Sequence, residues 1–473
     1  MTSASANESE NTQLKVLIVG SGLAGLTAAR VLREHHAVTV YERGGAAVAT
    51  GGQGIILGCN GTKVLKPLGY EGESGRVGGV PIYKSRIFDC QNQMVEEADM
   101  DLRGRFGADT LSQKRSDFRD ELVRLATAPS AELGIGGGPA RVVYNNAVVG
   151  LEPEEGVITL SDGSTAAGDV VIVADGIHSR LRSTIVGAGG PQAQKTGHSA
   201  YRVAVAVDAA NRALGDLPPP LWWRPEMSRN ASFFLHGPPG SRRFVTVYPL
   251  RRHTYYNLSC IMATQVSSRS ATELWHADGD RDEMLDTLEA TTRCDTSDPD
   301  VSAATEVKSW ELQDLEPLPT WTRGRAILIG DAAHAMTPMQ GQGANLSIED
   351  AEGLRLLNGN EEENATGTAV RRDDVPAILR RIESVRRPRA TAALDRVRDT
   401  QGRLTGHEKE LYDKTDFFMG YNGIFAALAE KEAAEQGERG EWWGLKVGFK
   451  EDVINCQQNR NCGSVTNNRN EKS

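Results

Sequence analysis

Apolar residues change their spacing along the chain in a way that separates it into regions. Leu14 to Val19 is a continuous apolar run, Leu23 to Arg33 has helical periodicity, and Val38 to Tyr41 is a second short run. Short unbroken runs bounded by turn residues fit strands buried on both faces, with helices packed between them. The same texture returns at 169–185, where an apolar strand leads to Asp175-Gly176 and a helix carrying Arg180 and Arg182. It returns again at 325–357. There a strand from Ala326 to Ile329 ends at Gly330-Asp331, a turn passes Pro338, Gly341 and Gly343, and a helix carries Ile348, Ala351, Leu354 and Leu357.

Between about 196 and 319 the period drops to two. YRVAVAVD (201–208), ASFFLHG (231–237), RFVTVYPL (243–250) and TYYNLSCIM (254–262) predict antiparallel strands, followed by a helix at 280–292 and a strand near 305–311. The predicted class is therefore α/β: a Rossmann-like domain with a parallel sheet, an antiparallel-sheet domain, and C-terminal helices. The division is a disordered tail at 1–13, a nucleotide-binding unit at 14–195 (with 80–108 lending to the second domain), an antiparallel unit at 196–319, a return segment at 320–358, and a helical region at 374–473 with a long helix at 375–400. Smaller elements are a short helix at 60–70 ending at Gly69, a helix from Arg115 with Ser116 as N-cap, and strands at 141–151 and 156–160.

Gly20-x-Gly22-x-x-Gly25 sits between the first strand and its helix, and Glu42 ends the next strand. In a dinucleotide fold the first glycine makes the turn, the second admits the pyrophosphate, and the third lets helix pack on strand. The acid about twenty residues on binds ribose hydroxyls; Arg43 follows it. The acid-glycine corners at Asp175 and Asp331 end parallel strands, where open α/β sheets bind ligands. Residues 44–61 are Gly/Ala-rich and uncharged, either a connector or backbone lying against a flat ring system. Arg115 and Arg119 are candidates to reach a phosphate or a ring carbonyl, or to be solvated. Arg202, beside Tyr201, is the basic group placed to face a pocket; the aromatics Trp222, Trp223, Phe233, Phe234, Tyr255 and Tyr256 wall that pocket or fill an ordinary core. The GIGGG at 134–138 follows no strand and reads as a loop.

A net charge of −10, from 53 basic and 63 acidic residues, leaves no basic footprint for nucleic acid or an anionic membrane. No apolar run is long enough to span a bilayer, and the polar start MTSASANESENTQ is unlike a signal peptide. Six scattered cysteines without a C-x-x-C pair argue against a metal site, a disulfide-exchange centre or a secreted framework, so a cytoplasmic protein with free thiols is expected.

Three pieces in order (the Gly20-Gly22-Gly25 fingerprint with Glu42, Asp175-Gly176, and Gly330-Asp331 through Pro338 and GQGAN) resemble the class A flavoprotein monooxygenases, the single-component FAD hydroxylases of aromatic compounds. The resemblance spans about residues 14–357. It implies FAD as cofactor and NADPH or NADH as transient co-substrate, with O2 delivered through a flavin C4a-hydroperoxide to a small aromatic or phenolic substrate. It implies that Glu42 holds the adenosine ribose, Gly54 lies near the flavin, and Arg115 contacts FAD. Asp175 would serve FAD packing, Asp331 the ribityl or pyrophosphate side, and Gly341, Gly343, Ala344 and Asn345 the loop by the isoalloxazine. Arg202 matches an active-site arginine, whose tyrosine partner the sequence does not locate. The alternatives are epoxidation, Baeyer–Villiger-type insertion or oxidative decarboxylation at the same cofactor, and a non-catalytic FAD-fold escort; Leu221 to Pro225 does not match a halogenase motif. A monomer or homodimer is expected.

Overall fold

The computed structural model describes residues 13–46, 53–216, 218–219, 221–238, 243–264, 277–278, 284, 307–359, 370–402 and 411–437. The tail, the 280–292 helix apart from Met284, and the last stretch from 438 lie outside the described residues.

Lys15–Val19 lies inside a six-stranded sheet, paired in parallel with Ala37–Tyr41 on one side and Val170–Val173 on the other. Arg141–Val143 and Ala326–Leu328 extend the two sides in parallel, and Thr322–Arg323 closes one edge antiparallel. The first strand is apolar from Val16 to Val19 because both of its faces are covered there. Val16 and Ile18 enter the core under the helices, whereas Leu17 and Val19 enter a second core with Ile158 and Trp321. Three adjacent strands therefore deliver their carboxyl ends side by side: Val19 into Gly20, Val173 towards Asp175, and Leu328 towards Gly330-Asp331.

The second sheet has eight strands. Their order is Ala277–Asp278, Lys308–Asp314, Gln194–Ala206, Tyr255–Ala263, Phe244–Leu250, Ala231–His236, Lys84–Phe88 and Met94–Asp99. All neighbours are antiparallel except Ala231–His236 with Lys84–Phe88. Segment 80–108 thus contributes its last two strands. Period-two alternation sends Tyr201, Val203, Val245, Val247, Leu258 and Cys260 to an outer core with Trp222, Trp223, Phe233 and Tyr256. Those aromatics are core, and Phe234 is turned the other way.

Some local expectations shift. Asp208 is not in a strand: Val207–Leu214 is a helix. The helix of the Arg115 segment spans Arg115–Thr127 with Lys114 as its extended N-cap, because the strand Leu111–Lys114 runs straight into it. Ser116 consequently lies in the first turn, where its hydroxyl meets Asp117 rather than a backbone N–H. Segment 141–151 is interrupted at Asn145, whose φ is +57°, before the strand Val148–Glu152. The Gly/Ala-rich stretch becomes a strand, Gly54–Leu57, and a helix, Cys59–Leu65. The loop at 134–138 wraps Arg33, whose guanidinium donates to the carbonyls of Gly138, Leu125 and Ala128. The long helix runs Val375–Gly402 with Pro388 inside it, and Leu411–Met419 and Ile424–Glu435 follow. Among the described residues no helix is long and apolar enough to cross a membrane.

His36 fastens the first strand to the return segment. Its Nδ1 accepts from the Leu14 N–H at 3.3 Å and its Nε2 lies 3.0 Å from the Leu357 carbonyl, which requires the neutral ring with Nε2–H donating. Burial lowers its pKa to about 4. A group that binds protons less readily folded than unfolded stabilises the fold above its unfolded pKa and loses that contribution as pH falls through the folded one. Denaturant unfolding between pH 7 and 4 should therefore show a loss of up to about 3 kcal/mol that a His36→Asn variant lacks; equal slopes for the two proteins would refute it.

Candidate functional site

A cavity of about 1690 Å³ is lined both by the carboxyl ends of the parallel strands and by the inner face of the eight-stranded sheet. One drug-sized ligand fills about 300–1,000 Å³, so this space suits an extended cofactor and a second molecule. Gly20, Gly22, Glu42, Arg43, Gly54, Arg115, Asp175, Arg202, Asp331, Gly341, Gly343, Ala344 and Asn345 all line it, although they come from distant parts of the chain. Gly25 does not; it packs helix against turn, and a Cβ there would overlap the Gly20 carbonyl oxygen. Gly20, at φ +101°, leaves no room either, since a Cβ would stand 2.5 Å from the Ala174 oxygen. Gly22 is different: a Cβ there meets no protein atom within 4 Å, so its missing side chain leaves space for a ligand.

Glu42 is already oriented by its own chain. The Ser21 N–H and hydroxyl donate to Oε2 and the Gly44 N–H to Oε1, each at 2.8 Å. Burial resists its ionisation, but these donors and the Arg43 charge hold the carboxyl below its ordinary pKa, so it presents a fixed anion to hydroxyl groups. The other two corners are stitched together by Arg182, whose guanidinium donates to the carbonyls of Ala332, Ile177 and Asp331. Asp175 accepts from the Arg180 N–H at 3.0 Å. Its Oδ1 is buried, with no partner among the described residues. Burial pushes its pKa up against the hydrogen bonds from Ser179 and Arg180. Asp175 lines the cavity, and a buried carboxylate oxygen without a donor among the described residues fits an N–H or O–H supplied by a ligand.

Beneath the glycine-rich turn lies a closed ion network. Arg386, on the long helix, donates to Glu349 at 2.6 Å and to Asp350 at 3.0 Å; Arg389 donates to both oxygens of Glu349. Asp350 also receives the Gly330 N–H and lies 2.5 Å from the His334 Nε2. Glu349 receives Asn60, which reaches on to Gln342. The Asn345 Oδ1 takes the Gly58 N–H at 2.9 Å. The helix Gly343–Gly353 is thus held from below, with its amino end turned to the cavity.

On the sheet side, Arg202 points into the cavity near Trp310, 5.6 Å from ring centroid to guanidinium carbon. Its Nε is buried with no partner among the described residues. Tyr248 is the tyrosine that lies beside Arg202; the two act on each other's charge. Burial pushes the Tyr248 phenol up to about 12, with Arg202 opposing, so it stays a neutral O–H donor. Burial lowers the pKa of Arg202, with Tyr248 pulling the other way. Tyr248 shares the alternating run with Thr246, but only the pairing of two distant strands shows that its face is that of Arg202. Gly54 lies under it: a Cβ would stand 2.5 Å from the Tyr248 ring, and its N–H donates to Asn257 at 2.7 Å. The glycine there admits the tyrosine. Arg115 bridges the two halves electrostatically; burial lowers its pKa, Asp331 raises it, and Arg202 and Arg119 lower it.

The family model described as the FAD binding domain matches residues 13–396. The chain is 32% identical to a 3-amino-4-hydroxybenzoate 2-monooxygenase of Streptomyces platensis over 84% of this chain and 89% of that one. It is 30% identical to a 6-hydroxynicotinate 3-monooxygenase of Bordetella bronchiseptica, covering 72% and 82%. A salicylate hydroxylase substrate complex superposes with a TM-score of 0.64 at 25% identity over 92% and 98% of the chains. CtdE in complex with FAD and substrate 4 superposes at a TM-score of 0.70 with 21% identity, covering 90% and 100%, which speaks to the fold.

Two measurements test these assignments. Gly22→Ala should leave the melting temperature of the cofactor-free protein unchanged while weakening FAD binding at least tenfold by fluorescence titration, whereas Gly25→Ala should lower the melting temperature; the reverse pattern would exchange the two roles. Arg386→Met should cost about 3–5 kcal/mol in denaturant unfolding, because it takes from two buried carboxylates the cation they share, leaving Glu349 only Arg389 and Asp350 only His334; a loss below about 1 kcal/mol, within the range of a surface ion pair, would refute the network's importance.

Proposed function

The chain belongs to the class A FAD-dependent aromatic hydroxylases, and on that premise we propose that it uses NAD(P)H and O2 to hydroxylate a small aromatic or phenolic substrate held at Arg202. The observation that supports this reading most directly is the unpartnered, buried Arg202 Nε beside Tyr248, in the same cavity as the cofactor corners. When bound, FAD supplies the redox chemistry, taking electrons from NAD(P)H and activating O2. The residues present fit that group. Glu42 would accept from the adenosine ribose, the Gly20–Gly22 turn would admit the pyrophosphate, and Asp331 would face the ribityl side. Asp175, with its spare oxygen, would take a donor from the cofactor. The amino end of the helix Gly343–Gly353 would favour negative charge on the ring system.

The substrate's handling falls to the sheet. The Arg202 guanidinium binds a phenolate or carboxylate oxygen with charge-assisted hydrogen bonds. Tyr248, protonated across the working pH range, adds an O–H donor to the same oxygen. Holding the oxygen as an anion keeps the ring electron-rich, which is what an electrophilic oxygen donor requires. Trp310, Ile261 and Phe244 line the adjoining wall and keep water from the reacting ring.

The decisive experiment is product analysis under 18O-labelled dioxygen with NADH or NADPH and a panel of phenols. One labelled oxygen in the product, with substrate-stimulated NAD(P)H consumption, is expected; an unlabelled product would overturn the reading. Arg202→Gln should raise KM for acidic phenols roughly ten- to a hundredfold, the cost of losing a charged hydrogen bond. An unchanged KM would remove Arg202 from the site.

A further inference from the structure

The nucleotide half meets the sheet at Gly54, against Tyr248 and Asn257, and at Ser112, whose hydroxyl donates to the Pro249 carbonyl. The lined face of the sheet continues well past that contact. Strand register places Arg202 opposite Ser259, Ser259 opposite Thr246, Thr246 opposite Phe234, Phe234 opposite Ile87, and Ile87 opposite Glu96. All of these residues line the one cavity. From the strand of Tyr248 to the edge strand Met94–Asp99 there are three inter-strand steps, or roughly 14 Å at about 4.8 Å each. Along this reach the polar stripe of Arg202, Ser259 and Thr246 gives way to Phe234, Ile87 and Val95, and it ends at Glu96 with Asp89 nearby.

A single-ring phenol anchored at Arg202 leaves that trough empty. A nicotinamide dinucleotide is a poor occupant, because its pyrophosphate would meet apolar side chains and then two carboxylates. We propose that the substrate is an elongated phenol. Its acidic oxygen sits at Arg202 and Tyr248, and a second ring or comparable apolar extension lies over Phe234 and Ile87. Its far end is uncharged or basic rather than anionic. This rests on the hydroxylase reading and names the substrate class for it.

The test uses the FAD-loaded full chain and three probes: phenol, 4-phenylphenol and 4′-hydroxybiphenyl-4-carboxylate. Kd is read from quenching of tryptophan fluorescence, to which Trp310 beside Arg202 contributes, and kcat/KM from product formation. The expectation is that 4-phenylphenol binds at least tenfold tighter than phenol and that the distal carboxylate gives back most of this gain. Phe234→Ala should shrink the preference for 4-phenylphenol over phenol at least fivefold. Glu96→Gln, a conservative change at a partly exposed edge, should narrow the gap between 4-phenylphenol and its carboxylate. Equal Kd values for phenol and 4-phenylphenol, or a preference indifferent to both variants, would overturn the trough while leaving the hydroxylase reading intact. Failure of every probe to be oxidised would overturn the hydroxylase reading, and the Kd ratio would still report on the trough.

Discussion

The glycine-rich turn and the helix that follows it rest on two adjacent buried carboxylates, Glu349 and Asp350, and the cations that hold them. Burial opposes the charge on each, and each is nonetheless held below its ordinary pKa, Glu349 by Arg389 and Arg386 and Asp350 by His334 and Arg386. His334 answers in kind: burial pulls its pKa down, and Asp350 more than restores it. Buried ion pairs recover their desolvation cost only when every charge is paired and hydrogen-bonded in good geometry. Here each carboxylate receives several donors, and those donors come from different parts of the chain: Asn60 after the Gly54 strand, the Gly330 amide at the third corner, and two arginines of the C-terminal helix. An apolar cluster of the same volume would pack these elements but would not fix their register. Directional bonds set the height of the Gly343 helix against the Gly330 turn, and that height determines where its amino end points.

The corners themselves were legible because each is local. A strand, a glycine turn and a helix within about thirty residues announce themselves in spacing alone, and the parallel order of the strands then brings Gly22, Asp175 and Asp331 to one cavity. The sheet was legible for a similar reason, since period two survives in a strand with one polar-lined face. What spacing cannot carry is pairing between distant segments. Tyr248 was visible only as one of several rings in an alternating run, and its role depends on which face the register gives it. In the sequence nothing sets Glu349 and Asp350 apart from the ordinary charged face of a helix, or Arg386 and Arg389 from solvated charges of another. Nothing in either segment says that the two helices turn those faces inward to one another. Ser116 differs for a smaller reason of the same kind: a capping residue competes with the strand that precedes it, and the strand Leu111–Lys114 carries the N-cap two residues earlier, to Lys114.

The two halves of the molecule divide their labour by the kind of surface each sheet can offer. A parallel sheet ends in turns and helix amino termini, which present backbone N–H groups and single carboxylates; that is a surface for binding phosphates and hydroxyls. An antiparallel sheet presents a broad face whose side chains alternate, which allows a graded surface to be written strand by strand. The gradient from Arg202 through Thr246 to Phe234 and Ile87 is of that second kind, and each step can change without disturbing its neighbours' backbone pairing. Gly54 and Arg115 are where the two surfaces touch: the glycine lets the phenol of Tyr248 sit against the nucleotide half, and the buried arginine feels the attraction of Asp331 on one side and the repulsion of Arg202 on the other. A side chain at position 54 would move the tyrosine before it met any ligand. The chemistry of the cofactor side and the shape of the substrate side are thus joined through one small residue and one buried cation, which is why a cofactor site this constrained can adjoin a substrate face free to vary.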